Sequence, residues 1–225
     1  MSKRTGGFQT RTISRVIALI RSALKGFPDP SVTLVGKKWK SPYLVLVSCL
    51  LSLRTKDSTT LPASMRLFRL ADSPEAMLKL SVPDIERAIF PVGFYHVKAR
   101  RIRDISGDLL ERFQGRVPET LDELLTLKGV GRKTANLVLV EGFGKFGVCV
   151  DTHVHRISNR LGFVRTSSPE ETEQALRRQL PRKFWKDYNA LLVVWGQNVC
   201  RPVSPKCSAC PVNGICLRTG VNFSR

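Results

Sequence analysis

Four cysteines crowd the C-terminal end of the chain: Cys200, Cys207, Cys210 and Cys216, spaced C-x6-C-x2-C-x5-C. Pro202, Pro205, Pro211 and Gly214 are threaded among them, so the stretch cannot build much apolar core of its own. Something else must order it. Three chemistries would do so: thiolates around one zinc ion, thiolates around a [4Fe–4S] cluster, or two disulfides. Structural zinc usually takes its ligands as two tight pairs, and only Cys207 and Cys210 form one. The uneven spacing therefore favours iron–sulfur. Cys49 and Cys149 lie in apolar runs and read as small buried hydrophobes.

A second stretch able to do chemistry is L-K-G-V-G-R-K-T-A-N, residues 127–136. An apolar helix ending at Leu127, a turn through Gly129, Val130 and Gly131, and a helix starting at once make a tight hairpin. Such a turn presents backbone N–H groups and a helix dipole to an anion such as a DNA phosphate, with Lys128 and Arg132 adding charge. An ordinary helix corner with a glycine C-cap gives the same pattern. Lys133 lies in the first turn of the second helix, where the dipole and its basic neighbours disfavour a cation. Both effects favour the neutral, nucleophilic amine. By position alone, a phosphate-binding surface lysine is the favoured reading.

Asp151 bears on that choice. A ten-residue helix from Gly131 runs about 15 Å, and the segment 141–150 reaches up to roughly 33 Å when extended. The chain can thus return to where that helix began. Asp151 opens D-T-H-V-H-R (151–156) as an N-cap, and a capping carboxylate can also serve catalysis. His153 and His155 have no further ligand set beside them and read as packing or surface residues.

The elements that must position these groups follow from composition and pattern. The chain has 225 residues, 37 Lys+Arg against 18 Asp+Glu, and a net charge of +19. With 42% hydrophobic residues it can bury a core, which excludes a disordered basic tail. The charge points to a polyanionic partner, nucleic acid first, because neutralising phosphates releases counterions. The longest apolar segment, residues 43–53, falls well short of the roughly 20 residues that span a membrane. Six cysteines are too few for a disulfide scaffold of this size, so an intracellular protein is expected. Lys3, Arg4, Arg11, Arg15, Arg21 and Lys25 precede the first acidic residue, Asp29, a composition shared with transit peptides. However, Ile13, Val16, Ile17, Ile20 and Leu24 keep helical spacing, which predicts a short arm and then a structural helix.

The rest reads as helix after helix. Ser41-Pro42 opens an apolar helix to Leu53. Further helices are expected near 58–70, 83–90, 95–114, 119–126, 131–141, 152–161, 168–180 and 183–199. Ser73-Pro74, Ser81, Pro118-Glu119 and Ser168-Pro169 supply start signals. Residues 146–150 read as extended rather than sheet-forming. An all-α protein of about ten helices is the expectation.

Together these features resemble the endonuclease III family within the helix–hairpin–helix DNA glycosylase superfamily. The resemblance runs from about Ser41 to Cys216. It is carried by L-L-S-L-R-T-K-D (50–57), V-G-F-Y-H-V-K-A (92–99), the hairpin at 127–136, V-D-T-H-V-H-R (150–156) and the cysteine tail. It implies two helical domains: a six-helix domain over 35–145 with the hairpin, and a discontinuous domain of 1–34 and 146–225 holding a [4Fe–4S] cluster on Cys200, Cys207, Cys210 and Cys216. Damaged double-stranded DNA would lie in a cleft between them with the target nucleotide flipped out. The implied chemistry is that of a bifunctional, monomeric base-excision enzyme acting on oxidised or damaged pyrimidines. Lys133 attacks the sugar, Asp151 stabilises charge and assists proton transfer, and β-elimination cuts the strand. The two stretches carry 18 basic and 6 acidic residues outside 35–145, and 19 and 12 within it, so both walls of such a cleft are expected to be positive.

One position departs from the family pattern: many members have Gln where Arg54 stands. Arg54 can enter the stack and donate to the orphaned base, or contact a phosphate. Phe94 falls at the family's apolar wedge position, with core packing as the alternative. The departure leaves open a mismatch- or abasic-site specialist on the same fold. A non-catalytic helix–hairpin–helix binder would need no Lys133/Asp151 pair.

Overall fold

The computed structural model describes residues 10–225; the expected arm, with Lys3 and Arg4, lies outside the described residues. Those residues contain twelve α-helices and no strand. The chain divides into two compact units, Pro30–Gly147 and Met1–Asp29 with Val148–Arg225.

In Pro30–Gly147, helices α2 (Ser31–Trp39), α3 (Pro42–Ser52), α4 (Asp57–Leu70), α5 (Pro74–Lys79), α6 (Val82–Ile89), α7 (Tyr95–Phe113), α8 (Leu121–Thr126) and α9 (Arg132–Leu137) follow one another. Helix α3 has residues 43 to 51 buried without interruption, which is why its sequence is apolar on every face. Serine caps start α3, α5 and α6: Ser41 accepts from Leu44 N–H, Ser73 from Ala76 N–H, and Ser81 forms a reciprocal box with Asp84. The cap of α8 is Thr120, just beyond the expected Pro118-Glu119 start.

Two elements differ from expectation. Helix α2 went unread because its buried side are Ser31, Val32, Thr33, Val35 and Gly36, small or β-branched residues of modest helix propensity. The helix expected over 131–141 is α9 followed by a π-helical turn, Val138–Gly142. This wider turn sets the Glu141 carbonyl against α2, where a Cβ on Gly36 would fall 2.7 Å from it. Thr33 Oγ1 donates to Glu141 Oε1 at 2.8 Å across the same contact.

The other unit is built from α1 (Thr10–Ala23), α10 (Thr152–Leu161), α11 (Pro169–Gln179), a 3-10 turn (Arg182–Phe184), α12 (Tyr188–Asn198) and the cysteine tail. Ile13, Val16, Ile17 and Ile20 are at most 1% exposed, so the N-terminal helix is structural. Each such burial contributes roughly 1.5–3 kcal/mol. They pack with Val154, Ile157 and Leu161 of α10 and Leu192 and Trp195 of α12. Helices α10 and α12 approach closely at Gly196, where a Cβ would fall 2.2 Å from His153 Nδ1. Residues 144–150 run without regular structure into α10, as the short apolar stretch suggested.

Candidate nucleic-acid interface and metal centre

The glycine hairpin forms between α8 and α9. Gly129 takes φ +86°, a left-handed conformation open to glycine at little cost, and Val130 N–H closes the turn on Leu127 O at 3.0 Å. Gly131 caps α9 in extended backbone, and its carbonyl accepts from Ala135 N–H at 2.9 Å. Lys128, Gly129 and Gly131 are exposed, while Arg132 and Lys133 are half-buried. Val130 is 5% exposed with its N–H already engaged, so it anchors the turn and does not itself face outward. The missing Cβ of Gly129 has a second use. The Arg101 guanidinium lies against it, and a Cβ there would sit 2.7 Å from Arg101 Nη1. Arg101 thus joins Lys128 and Arg132 as a positive group of the hairpin, unread from sequence because it comes from α7, distant in the chain.

Arg54 and Phe94 meet. The Arg54 guanidinium carbon stands 5.0 Å from the centroid of the Phe94 ring, a cation–π distance. Both residues are exposed, Phe94 at 59%, which rules out core packing for its ring. Both take positive φ, +53° and +59°, which a side chain with a Cβ rarely adopts. Such conformations cost on the order of 1–3 kcal/mol each and persist only where surrounding contacts enforce them. Lys98 supplies those contacts. It is 8% exposed, and its Nζ donates to Leu51 O (2.8 Å), Leu53 O (2.5 Å) and Thr55 Oγ1 (3.1 Å). Burial pulls its ammonium down to about 8. Sequence reading passed over Lys98, although it falls in register with Ile102, Ile105 and Leu109 on the buried stripe of α7. A lysine on an apolar stripe is the signal.

Asp151 is the N-cap of α10, as its sequence position suggested. Its Oδ1 accepts from both His153 N–H and Val154 N–H at 2.9 Å, so the cap uses only one of its two carboxylate oxygens. His153 Nδ1 lies 3.2 Å from Arg156 Nη2, and His155 Nδ1 2.7 Å from Thr172 Oγ1, consistent with packing roles.

None of the six cysteines is bridged to another, which removes the disulfide reading. Cys49 is fully buried and its thiol is pushed up to about 12 by desolvation, as a packing residue's would be. Cys200, Cys207, Cys210 and Cys216 line one cavity, walled by Trp195 and Val212. Burial raises the Cys210 and Cys216 thiols, and the neighbouring sulfurs raise them further. A cationic centre reverses that balance by holding the sulfurs as thiolates. Among the described residues no three His, Cys, Asp or Glu are grouped to hold a single ion. Four thiols around a shared cavity suit the wider span of an iron–sulfur core. Arg218 N–H points at Cys216 Sγ (3.4 Å) and Arg160 Nη1 at Cys200 Sγ (3.5 Å), donors suited to bound sulfur. Arg160, 8% exposed, also donates to Arg201 O (2.6 Å) and Pro202 O (2.7 Å), tying the proline-rich tail to α10.

No described helix is long and apolar enough to cross a membrane. The pattern of the HhH-GPD superfamily of base excision DNA repair proteins matches residues 47–182. That of the iron-sulfur binding domain of endonuclease III matches residues 200–216, the span of the four cysteines, and indicates a [4Fe–4S] cluster as cofactor. Endonuclease III of Thermotoga maritima is 46% identical over 198 residues, covering 88% of this chain and 90% of that one. A solved non-covalent endonuclease III–DNA complex has a TM-score of 0.82 at 30% identity over 92% of this chain and 95% of that chain. A trapped endonuclease III–DNA covalent intermediate gives 0.80 at the same identity and coverage. With the helical fold, the hairpin and the cysteine centre in place, these likenesses show that the chain belongs to the endonuclease III family of base-excision DNA glycosylase/AP lyases.

Proposed function

We propose that the protein acts as a monomer on damaged double-stranded DNA, removing oxidised or ring-damaged pyrimidines and cutting the strand 3′ to the site. The observation that carries this reading is Lys133, set in the first turn of α9 directly after the glycine hairpin. The hairpin and Lys128, Arg132 and Arg101 grip the backbone, since exposed amides and guanidinium groups suit phosphate oxygens. The unit Pro30–Gly147 carries 19 basic and 12 acidic residues, and the remainder 18 and 6, so each contributes positive potential to the duplex.

In the proposed reaction the neutral Nζ of Lys133 bonds to the sugar C1′ as the glycosidic bond breaks. The departing base takes the bonding electron pair and a proton. Ring opening gives a protonated Schiff base, loss of a C2′ proton follows, and that electron pair expels the 3′ phosphate. Asp151 stabilises the positive charge developing on the sugar and relays protons, through the carboxylate oxygen that the helix cap leaves unused. Arg54 and Phe94 fill the gap left by the flipped nucleotide. Cys200, Cys207, Cys210 and Cys216 hold the cluster, which supplies order to a tail with little core of its own.

Borohydride trapping on duplexes with thymine glycol, dihydrouracil, a T·G mismatch or an abasic site tests activity, mechanism and substrate together. A covalent adduct on the damaged pyrimidines, abolished in Lys133→Ala, is expected. An equally strong adduct in that variant removes Lys133 from its role. Adducts confined to the T·G or abasic duplex establish the specialist reading instead.

A further inference from the structure

Lys98 has no part in the chemistry above, yet it is a buried ammonium whose three hydrogen-bond partners are neutral oxygens. Taking a charge out of water is unfavourable, and an apolar side chain of similar length would fill the same volume without that desolvation. Its partners say what the charge is for. All three belong to residues 51–55, a segment in which Arg54 alone is exposed. Three N–H groups meet three acceptors, two of them on either side of Arg54, which is what holding a left-handed residue requires.

The same residue reaches the second loop. The Lys98 backbone N–H makes the ordinary first-turn bond of α7 to Phe94 O at 3.0 Å, so the ammonium fastens residues 51–55 to the helix turn that begins at the residue whose ring faces Arg54. Thr55 Oγ1 completes the link, accepting from Gly93 N–H at 3.2 Å while it also accepts from Lys98. Gly93 permits the approach, since a Cβ there would lie 3.0 Å from Arg54 O. One lysine therefore ties the Arg54 and Phe94 loops to each other.

We propose that Lys98 is a positioning residue: its buried ammonium locks the Arg54 and Phe94 loops in the left-handed conformations from which both side chains enter the base stack at a lesion. The inference rests on the reading of Arg54 and Phe94 as the intruding pair. Because Lys98 works on both loops, its removal reproduces the loss of Arg54 rather than adding to it.

The test uses the full-length, cluster-loaded protein and a duplex with a tetrahydrofuran abasic analogue opposite 2-aminopurine, whose fluorescence reports stacking of the orphaned base. Wild type changes the signal on saturation, and Arg54→Ala loses at least half of that change. Lys98→Met shows the same loss and weakens lesion binding about tenfold, the scale of losing charged hydrogen bonds. Added to Arg54→Ala, it weakens binding less than a further twofold. Thr55→Val, which removes the acceptor shared by Lys98 and Gly93, gives a partial loss and carries the test if Lys98→Met does not fold. A wild-type signal in Lys98→Met or, where that variant does not fold, in Thr55→Val overturns the proposal, as does full multiplication of the Lys98 and Arg54 effects. A wild-type signal in Arg54→Ala instead overturns the reading of the intruding pair, and the proposal falls with it.

Discussion

Asp151 is proposed both to cap α10 and to serve the reaction, and two substitutions separate these roles. In Asp151→Asn the amide oxygen still accepts from His153 N–H and Val154 N–H, both 2.9 Å from Oδ1 in the native residue. Only the charge facing the helix dipole is lost, worth about 0.3–1 kcal/mol. Asp151→Ala removes the one oxygen that accepts both bonds, and losing such a cap costs about 0.5–2 kcal/mol. In a chain of this length 1 kcal/mol shifts the melting temperature by about 2–4 °C. Asn should therefore melt within a few degrees of wild type, with Ala lower still. Activity should not follow that order. A neutral amide can neither stabilise a cationic sugar nor relay a proton, so single-turnover base release should fall at least ~100-fold in both variants. Thermal melts and quenched-flow base release on one lesion duplex supply the two readouts. If Asp151→Asn keeps wild-type turnover while Asp151→Ala loses it in step with stability, the carboxylate is a cap alone.

Further consequences follow from close contacts and charge. Gly129→Ala places a Cβ 2.7 Å from Arg101 Nη1 at φ +86°, and should cost about 1–3 kcal/mol while weakening DNA binding, read by melts and filter binding in varied salt. Gly196→Ala drives a Cβ to 2.2 Å from His153 Nδ1, and overpacking of about 1–3 kcal/mol should appear as a lower melting temperature. Cys210→Ser should lower the iron content from about four per chain and bleach the brown absorbance. Lys98 should leave a mark on stability against pH. Its folded value of about 8 lies below the ordinary lysine value of 10.5, so between them the unfolded chain binds more protons and stability from this group rises with pH. Urea titrations from pH 7 to 10 should show that rise in wild type and lose it in Lys98→Met.

The parts of this molecule legible in the sequence are those encoded locally. Ser73, Ser81 and Ser168 announce helix starts because a cap needs only the backbone two or three residues on. Asp151 was readable as a cap for the same reason. Ile13, Val16, Ile17 and Ile20 betray their burial through spacing alone. What escaped depends on partners far along the chain. Helix α2 is held by its contact with the π-helical turn through Gly36 and Thr33, more than a hundred residues away. Arg101 joins the hairpin only once α7 lies beside Gly129. The π-helical turn itself packs on α2 and α3, far back in the chain, and nothing within 138–142 announces it.

Lys133 and Lys98 show why composition could raise the question of nucleic acid and yet not divide the labour. Both count equally toward the +19. Lys133 is half-buried in the first turn of α9, directly after the glycine hairpin. Lys98 is sealed under the loops of Arg54 and Phe94 and spends its three N–H groups on protein oxygens. The second arrangement makes no direct phosphate contact, because the buried ammonium has already given its N–H groups to protein oxygens. Its effect is to keep two strained residues in place before DNA arrives, so the ordering entropy of the intruding loops is not charged to each binding event. If that is how the chain works, lesion binding should depend less on salt than the net charge suggests. The slope of log K against log salt should be nearly unchanged by Lys98→Met and should fall by about one with Lys128→Ala. Equal slope changes in the two variants would place Lys98 among the phosphate contacts and take away its positioning role.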